Sequence, residues 1–570
     1  MGTVEKISSL GSEIFFVVNE KMKIPLKTIV ISLCAALMIG SVGGAGFLLG
    51  KAQAATQERG ETHSGVLADE VDDEEIIYGR PVEADIVVEE DPAQSVALPS
   101  DGSAAELTAL PEVLAKLARR LKVSPSDIVI SVRPLESPEK TLLGINDNVL
   151  EKPASTAKLV TTLAALETLG PTWRWKTDIY ALGSPDASGR LEGGLFVRGG
   201  GDPALVIEDF ALEVDRLAQL GIKHIEGDIQ VDRSYFDLPK INPNAFDGRG
   251  SRPYNLPPDA ALINYRALTV ELIPDEAVGI AHVVATPQMA GIELPETIPL
   301  QAGKCGRGRS APGFRLKKGE NGNRIVEFTG SFTAACGPSK FTTINVEPDE
   351  YFERVFRFLW ERNGRTWSGH VVPGTIPADA HVILSRPSPT MVETIALTNK
   401  WSNNMMARDI LLTLGAERVR RTEGRVKGAM FPRGATVEDA RAALADWLKR
   451  RGIAVDEIQI DNGSGLSRET RVTGRAMTRV LVAGWTGPYM PEYLASLPIT
   501  GRDGTMRRRR VALAEGRIKT GFLADVRSIG GYIHSKSGAR WAVYASVKGK
   551  SAINGGIPFL NGVIDWVYKQ

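Results

Sequence analysis

Two residues three positions apart in the first third of the chain could carry nucleophilic catalysis. They are Ser155 and Lys158, the ends of a Ser-x-x-Lys tetrad whose following residues, to Leu169, have helical spacing. Residues three apart share one face of a helix, so the Lys158 amine can reach the Ser155 hydroxyl. A serine hydroxyl needs a base at neutral pH, and a desolvated lysine beside other cations can serve as that base. Alone, the tetrad is equally typical of an ordinary helix start.

Two further short motifs follow much later in the chain. Ser402-Asn403-Asn404 lies in a stretch with helical spacing, and Lys519-Thr520-Gly521 lies on a strand that opens three strand-like runs. Neither is informative alone, because serine and asparagine are common at helix caps and loops. In this order, however, the three motifs are the signature set of penicillin-binding proteins and class A β-lactamases. The set predicts a serine acyl-transferase that acts through an acyl-enzyme.

The long stretch between Ser155 and Ser402 distinguishes between the members of that set, since a compact β-lactamase has no room for it. With this spacing the chain resembles the class C, low-molecular-mass penicillin-binding proteins, the D-alanyl-D-alanine carboxypeptidase/endopeptidase family, which place large inserted domains between the first two motifs. The resemblance runs from about residue 108 to the C-terminus. Further runs that fit it are Gly199-Gly200-Gly201-Asp202-Pro203, Gly227-Asp228-Ile229, Leu256-Pro257-Pro258-Asp259, Asp461-Asn462-Gly463-Ser464-Gly465-Leu466-Ser467-Arg468 and Gly501-Arg502-Asp503-Gly504-Thr505-Met506.

The resemblance implies a role for each motif residue. Ser155 looks like the acylated nucleophile and Lys158 like its base. Ser402 would relay a proton to the leaving amine, Asn404 would orient the substrate and Lys158, and Lys519 would supply positive charge near Ser402 and the substrate carboxylate. Peptidoglycan peptides would be the substrate and β-lactams would acylate the same serine. No metal or organic cofactor is implied.

The substrate-binding strand continues beyond the lysine through Thr520, Gly521 and Phe522. The resemblance implies an oxyanion hole from the backbone N–H groups of Ser155 and Phe522. Phe522 departs from the family, which usually has a small hydroxyl residue there, and loss of that hydroxyl would weaken carboxypeptidase relative to endopeptidase action.

An aromatic and an acidic group in the inserted region also match the family. The resemblance implies that Tyr254 and Asp247 contact the diamino-acid side chain of the substrate.

The elements that position these motifs predict an α/β fold, a transpeptidase-like core with a large β-rich insertion. Leucines from 110 to 121 predict an amphipathic helix, and the alternation of Ile128, Ile130 and Val132 predicts a strand. Stretches 391–414 and 437–451 have helical spacing, and the runs 516–519, 528–535 and 541–547 suit an antiparallel meander. We expect the core to comprise 108–171 and 386–570, and the β-rich insertion to fill 172–385.

The N-terminal region indicates export. Lysines precede an apolar run from Thr28 to Leu49, and Ala52-Gln53-Ala54-Ala55 is a plausible cleavage site. Residues 1–55 therefore predict either a cleaved signal peptide or a single anchor in the inner membrane, with the enzyme in the periplasm. In that oxidising compartment Cys305 and Cys336 could form a disulfide, the alternative being two buried thiols.

Charge is unevenly distributed along a chain whose net charge at pH 7 is +0. Residues 56–107 hold 15 acidic residues and two arginines, which predicts a disordered linker. The basic run Arg507–Arg510 predicts a solvated surface or a site for anionic glycan or lipid. Nucleic-acid binding is not supported, because zinc-finger, RRM and basic-helix signatures are absent from the sequence.

Two other functions remain compatible with the sequence. One is a β-lactamase or esterase on the same core, against which the long insertion argues. The other is a catalytically weak scaffold that holds peptidoglycan, against which the three intact motifs argue.

Overall fold

The computed structural model describes residues 4–9, 12–17, 107–305, 312–330, 332–424 and 433–570. The chain divides into two units, and of the first, Met1–Glu70, the structure describes strands Val4–Ser9 and Ser12–Val17, which pair antiparallel. The apolar run Thr28–Leu49, the predicted cleavage site after it and the acidic linker up to residue 106 lie outside the described residues. Within the described ranges, no helix is both long and apolar enough to cross a bilayer.

The second unit, Val71–Gln570, contains the rest of the described structure. Its helices are Glu112–Leu121, Lys158–Leu169, Ile207–Gln219, Pro348–Glu361, Met391–Lys400, Asn404–Glu423, Val437–Arg450, Gly474–Thr486, Met490–Ser496, Gly549–Ser551 and Ile557–Tyr568. With the two strands of the first unit as β1 and β2, its strands are β3 (Ile128–Pro134), β4 (Leu143–Ile145), β5 (Lys176–Ala181), β6 (Arg190–Glu192), β7 (Leu195–Gly199), β8 (His224–Glu226), β9 (Ile229–Asp232), β10 (Leu268–Asp275), β11 (Ile280–Thr286), β12 (Ile292–Glu293), β13 (Thr297–Gln301), β14 (Gly313–Lys318), β15 (Arg324–Thr329), β16 (Phe332–Thr333), β17 (Ser339–Thr343), β18 (Thr366–Trp367), β19 (Val371–Pro373), β20 (His381–Pro387), β21 (Ile458–Gln459), β22 (Arg471–Val472), β23 (Gly516–Leu523), β24 (Val526–His534) and β25 (Arg540–Lys548).

A five-stranded antiparallel sheet in the order β23-β24-β25-β3-β4 is the centre of the predicted core. Helices Glu112–Leu121 and Ile557–Tyr568 pack on one face, and helices Lys158–Leu169 and Gly474–Thr486 pack on the other. Helices therefore cover both faces of the sheet at β3. The residues that alternate along β3 form two buried sets, one on each face, rather than one buried and one exposed set. The first and last parts of the chain meet in this sheet, because β3 pairs with β25.

The middle of the chain is rich in strands, as the short β-like runs predicted. It contains two mixed five-stranded sheets, in the orders β19-β9-β7-β5-β20 and β16-β13-β11-β10-β17. Both sheets share a single hydrophobic core with helices Ile207–Gln219 and Pro348–Glu361. Within this region Cys305 and Cys336 are joined by a disulfide. The exact division of the chain at 172 and 385 stays a prediction.

The stretch 391–414, whose spacing predicted helix, is interrupted at the Ser-x-Asn motif. The first helix ends at Lys400 and the next begins at Asn404. Ser402 adopts a left-handed backbone conformation with φ 59°, which a helix cannot contain. The Asn403 side chain then accepts a hydrogen bond from the Met406 backbone N–H at 3.1 Å, and so caps the second helix.

Candidate active site

The predicted nucleophile lies on a tight turn rather than on the helix itself. Ser155 belongs to the 3-10 turn Ala154–Ala157, and the α-helix Lys158–Leu169 begins directly afterwards. The preceding residue, Ala154, has φ 50°, in the left-handed region that a residue with a Cβ rarely adopts. Such strain persists where the surroundings determine the backbone fully. Ser155 remains partly exposed although its immediate neighbours on the turn are buried.

Two glycines hold this turn in place by close backbone packing. A Cβ on Gly465 would lie 1.8 Å from the Ala154 carbonyl oxygen. A Cβ on Gly521 would lie 2.1 Å from Ser528 Oγ and 2.8 Å from the Pro153 carbonyl oxygen. Because only glycine fits at either position, the edge strand β23 and the 461–468 loop can both contact the nucleophile turn directly.

Lys158 is completely buried and makes three short polar contacts. Its Nζ donates to Ser155 Oγ at 3.2 Å, to Asn404 Oδ1 at 2.6 Å and to the Ser464 carbonyl oxygen at 2.7 Å. These acceptors come from three separate parts of the chain. They fix the amine beside the serine hydroxyl at a distance suited to proton transfer.

Lys519 is the second completely buried lysine of the site. Its Nζ donates to Ser402 Oγ at 2.8 Å and to the Thr520 carbonyl oxygen at 2.9 Å. Ser402 is partly exposed, and its left-handed backbone sets it apart from the two helices on either side. The structure thus brings together all three motifs as two lysine–serine pairs, connected by the short link from Ser402 to Asn404.

Strand β23, which carries the Lys-Thr-Gly motif, is the edge strand of the central sheet. Successive side chains point to opposite faces of a strand. Lys519 and Gly521 face the nucleophile turn, whereas Thr520 and Phe522 face the other way. The Thr520 hydroxyl pairs with the Thr505 hydroxyl at 2.8 Å, and Phe522 is half exposed.

The inserted region contributes a segment next to the motif residues. Tyr254 donates from its hydroxyl to Asp247 Oδ2 at 2.8 Å, and the Asn404 side-chain amide lies 3.5 Å from the Tyr254 carbonyl oxygen. Partial burial acts to raise the pKa of Asp247, but hydrogen bonds from the Arg249 N–H, Tyr254 and Asn255 outweigh it. The net effect is a pKa below the ordinary value, so Asp247 is an exposed anion near the site.

A buried acid lies directly before the nucleophile turn. Glu151 Oε1 accepts hydrogen bonds from the Tyr544 hydroxyl at 2.9 Å and from the Ser546 hydroxyl, and Oε2 is buried without a partner among the described residues. Burial raises the pKa of Glu151 from 4.5 to about 7, although the two hydroxyls and the charge of Lys548 act to lower it. Sequence reasoning did not identify this residue.

The Ser464 carbonyl is the other contact that the motifs did not predict. Ser464 lies in the run 461–468 quoted above, where Asn462 Oδ1 accepts hydrogen bonds from the Ser464 N–H at 3.1 Å and its hydroxyl at 2.8 Å. A sequence shows side-chain types, and here the functional atom is a backbone oxygen. Across the described ranges, no group of three or more His, Cys, Asp or Glu side chains is arranged to hold a metal ion.

Comparison with known proteins supports one family. A model of the D-Ala-D-Ala carboxypeptidase 3 (S13) family matches residues 110–554. The chain is 29% identical over 407 residues to a D-alanyl-D-alanine carboxypeptidase of Actinomadura sp. (strain R39), covering 68% of this chain and 71% of that protein. It is 24% identical over 409 residues to the D-alanyl-D-alanine carboxypeptidase DacB of Haemophilus influenzae, covering 70% and 80% of the two chains.

Among solved structures, penicillin binding protein 4 (dacB) of Haemophilus influenzae has the same fold. The two chains superpose with a TM-score of 0.63 at 20% sequence identity, over 80% of this chain and 99% of that one. The α/β core with its large β-rich insertion is therefore the fold of that penicillin-binding protein.

Proposed function

The chain belongs to the D-Ala-D-Ala carboxypeptidase 3 (S13) family, which makes it a serine-type D-alanyl-D-alanine carboxypeptidase, and we propose that it cleaves D-alanyl peptide bonds through an acyl-enzyme on Ser155. The observation that carries this assignment is the 3.2 Å contact between the buried Lys158 amine and the partly exposed Ser155 hydroxyl. A nucleophile must be reachable by substrate while its base is held away from water.

In the acylation step Lys158 is neutral: its two N–H groups stay with Asn404 and the Ser464 carbonyl, and its lone pair faces Ser155. Ser155 Oγ attacks the D-alanyl carbonyl carbon and its proton passes to that nitrogen. The backbone N–H groups of Ser155 and Phe522 stabilise the negative charge that develops on the carbonyl oxygen. The carbon–nitrogen bond then breaks. Ser402, whose oxygen lies 2.8 Å from Lys519 Nζ, relays the proton: it gives its hydroxyl proton to the leaving amine and takes the proton held by Lys158, which becomes neutral again.

In the second step, water attacks the acyl-enzyme carbonyl carbon. Lys158 accepts the proton of that water, and the bond to Ser155 Oγ breaks as the serine recovers its proton. Asn404 holds Lys158 through its side-chain oxygen at 2.6 Å, so it positions the base in both steps.

The same geometry supports acylation by β-lactams. A crystal structure of penicillin binding protein 4 (dacB) of Haemophilus influenzae with a β-lactam bound is similar to this chain, with a TM-score of 0.60. A β-lactam amide presented to Ser155 would open as the peptide bond does, with the ring nitrogen as the leaving group.

The cellular setting follows from the proposed substrate. Peptidoglycan peptides are the partner, Asp247 and Tyr254 contact the diamino-acid side chain, and the N-terminal segment exports the enzyme to the periplasm, as a cleaved signal or as an anchor. Cell fractionation with antibody detection and N-terminal sequencing of the mature protein would decide between these two fates.

Labelling with a fluorescent penicillin tests the nucleophile. The wild-type protein should be labelled, and a mass increase equal to one penicillin should map to the peptide containing Ser155. The variant Ser155→Ala should lose the label, while Ser537→Ala, an exposed serine elsewhere in the described chain, should keep it. Labelling that persists in Ser155→Ala would refute the assignment.

Digestion of purified peptidoglycan fragments tests the reaction. Release of D-alanine from pentapeptides or conversion of cross-linked dimers to monomers, measured by mass spectrometry, is the expected result. A protein that is acylated by penicillin but releases neither product would be a scaffold or a β-lactamase instead.

A further inference from the structure

The basic run Arg507–Arg510 does not form one uniform surface. Arg507, Arg508 and Arg510 are exposed, whereas Arg509 turns inward. The Arg509 Nη1 nitrogen is buried and has no hydrogen-bond acceptor among the described residues. Burial, followed by the charge of Arg527, lowers the pKa of Arg509 to about 10. A buried guanidinium without an acceptor is costly, so this position needs a further explanation.

The backbone places Arg509 beside the substrate-binding strand. The 3-10 turn Gly504–Met506 precedes it, and the Arg509 N–H donates to the Met506 carbonyl oxygen at 2.9 Å. That turn is attached to β23 through the contact of 2.8 Å between the hydroxyls of Thr505 and Thr520. The start of the segment that carries Arg509 therefore lies next to the face of β23 that Thr520 and Phe522 share.

Arg527 lies on the neighbouring strand β24, directly opposite Phe522. Its guanidinium carbon is 3.5 Å from the centre of the Phe522 ring, a cation–π contact that holds the side chain flat. Its described hydrogen bonds go to the carbonyl oxygens of Leu523 and Val526, not to an acid.

The acid near Arg527 is already paired with a lysine. Asp525 is the one acid whose charge acts on Arg527, and its Oδ2 is bound to Lys152 Nζ at 2.5 Å. Among the described residues no ion pair joins a carboxylate to Arg509 or Arg527. Arg527 therefore lies against Phe522, and Arg509 lies near enough for the two charges to act on each other, while neither forms an ion pair with a carboxylate of the described residues.

Carboxylates fit such a pair because a guanidinium presents parallel N–H donors to two oxygens. If the scissile carbonyl lies at the N–H groups of Ser155 and Phe522, the leaving residue lies next to Phe522. In a D-alanyl peptide that residue carries its free carboxylate two bonds from the scissile nitrogen. We propose that Arg509 and Arg527 form the subsite that binds the free carboxylate of the leaving residue. This proposal rests on the proposed function.

The proposed subsite lies on the other face of β23 from the Lys519 side chain. Lys519 faces the opposite side of the same strand and is bonded to Ser402. It can attract an anion from there but is already committed to the proton relay. The arginine pair would supply the directed hydrogen bonds, and the Phe522 ring would hold Arg527 in the required orientation.

The test compares two substrates that share one D-alanyl donor, the first with D-alanine and the second with D-alaninamide as leaving group. The ratio of their kcat/KM values measures recognition of the carboxylate alone. We expect this ratio to fall about ten- to a hundredfold in Arg509→Gln and in Arg527→Gln, the range of a hydrogen bond to a charged group. The matched control Arg508→Gln, an exposed neighbour in the same run, should keep the ratio within about twofold.

A second pair of substrates identifies the source of the carboxylate. In cross-linked dimers the leaving residue is a diamino acid, whose neighbouring carboxylate can be free or amidated. A fall in the ratio for the dimer pair as well as for the D-alanine pair means that the subsite serves both reactions. A fall in one pair alone assigns the subsite to that reaction.

An unchanged ratio for both pairs in Arg509→Gln and Arg527→Gln would overturn the proposal, as would an equal loss on charged and amidated substrates. If Arg509→Gln does not fold, the test relies on Arg527→Gln and on the charge-conserving Arg509→Lys. For Arg509→Lys the proposal predicts a ratio between those of wild type and Arg527→Gln. Wild-type turnover distinguishes failure of this proposal from failure of the proposed function. If wild type cleaves none of the substrates, the proposed function is refuted. If wild type cleaves them but the arginine variants keep the wild-type ratio, only the subsite is refuted.

Discussion

Replacing Glu151 by glutamine should change how the stability of the protein depends on pH. The carboxyl group is 5% exposed and lies four residues before Ser155. Glutamine keeps the oxygen that accepts from Tyr544 and Ser546 but cannot become charged. Because burial raises the pKa of Glu151 from 4.5 to about 7, the folded protein binds this proton more tightly than the unfolded chain does.

The sign and the size follow from this difference. The stabilising effect of the proton is fully present below the ordinary pKa and is lost as the pH rises through about 7. Between about pH 5 and about pH 8 the wild-type protein should lose roughly 2.5 kcal/mol of unfolding free energy through this group. Glu151→Gln lacks that loss, so relative to wild type it should gain roughly 2.5 kcal/mol over the same interval.

Urea unfolding of wild type and of Glu151→Gln, at about pH 5 and at about pH 8, measures this gain. Other buried acids, such as Asp202 with a pKa raised to about 6 by burial, occur in both proteins and cancel in the comparison. Glu469→Gln changes an exposed carboxylate and should show a gain below about 0.5 kcal/mol. If the difference between Glu151→Gln and wild type is the same at both pH values, Glu151 is not a buried acid with a raised pKa.

Three further changes test the site and its scaffold. Lys158→Arg should slow acylation by fluorescent penicillin about 10²- to 10⁴-fold, because a guanidinium stays protonated and cannot act as the base; rapid labelling would point to another base. Gly521→Ala should slow acylation at least about tenfold, since its Cβ would fall 2.1 Å from a neighbouring oxygen. The control Gly183→Ala, with open space around it, should acylate at the wild-type rate, and equal rates for the two variants would contradict the packing argument. Cys305→Ser opens a disulfide with a sequence separation of 31 and should lower the unfolding free energy by about 2–4 kcal/mol, measured in urea without reductant; no loss would mean that the bond is not formed.

The sequence alone predicted the motif residues and most elements of the core. Alternation at Ile128, Ile130 and Val132 is a local property, and it sufficed to place β3. The three-motif order placed Ser155, Lys158 and Lys519 in one site, because each motif combines residue types whose chemistry depends on the others. Strand β3 could be predicted because neighbours in sequence determine it, whereas the grouping of the three distant motifs came from the resemblance of their order to a known family.

The failures have a shared physical cause. The stretch 391–414 has helical spacing throughout, because the break at Ser402 is a change of backbone conformation that the spacing of apolar residues does not show. The Ser464 carbonyl and the close approach of Gly465 to Ala154 involve backbone atoms from distant parts of the chain, which residue types do not reveal. Burial of Glu151 and Arg509 likewise depends on tertiary packing, and both read as ordinary charged residues in the sequence.

The two faces of β23 explain why these hidden contacts matter for catalysis. On one face Gly521 lets the strand approach the nucleophile turn, and in the proposed mechanism the Phe522 N–H shares one oxyanion hole with the Ser155 N–H. On the other face the Phe522 side chain holds Arg527 beside the inward-turned Arg509. A displacement of β23 would therefore alter both the oxyanion hole and the arginine pair. Variants at Gly521 should consequently weaken acylation and carboxylate recognition together, whereas variants at Arg509 should weaken recognition alone, and this difference separates the two roles of the strand.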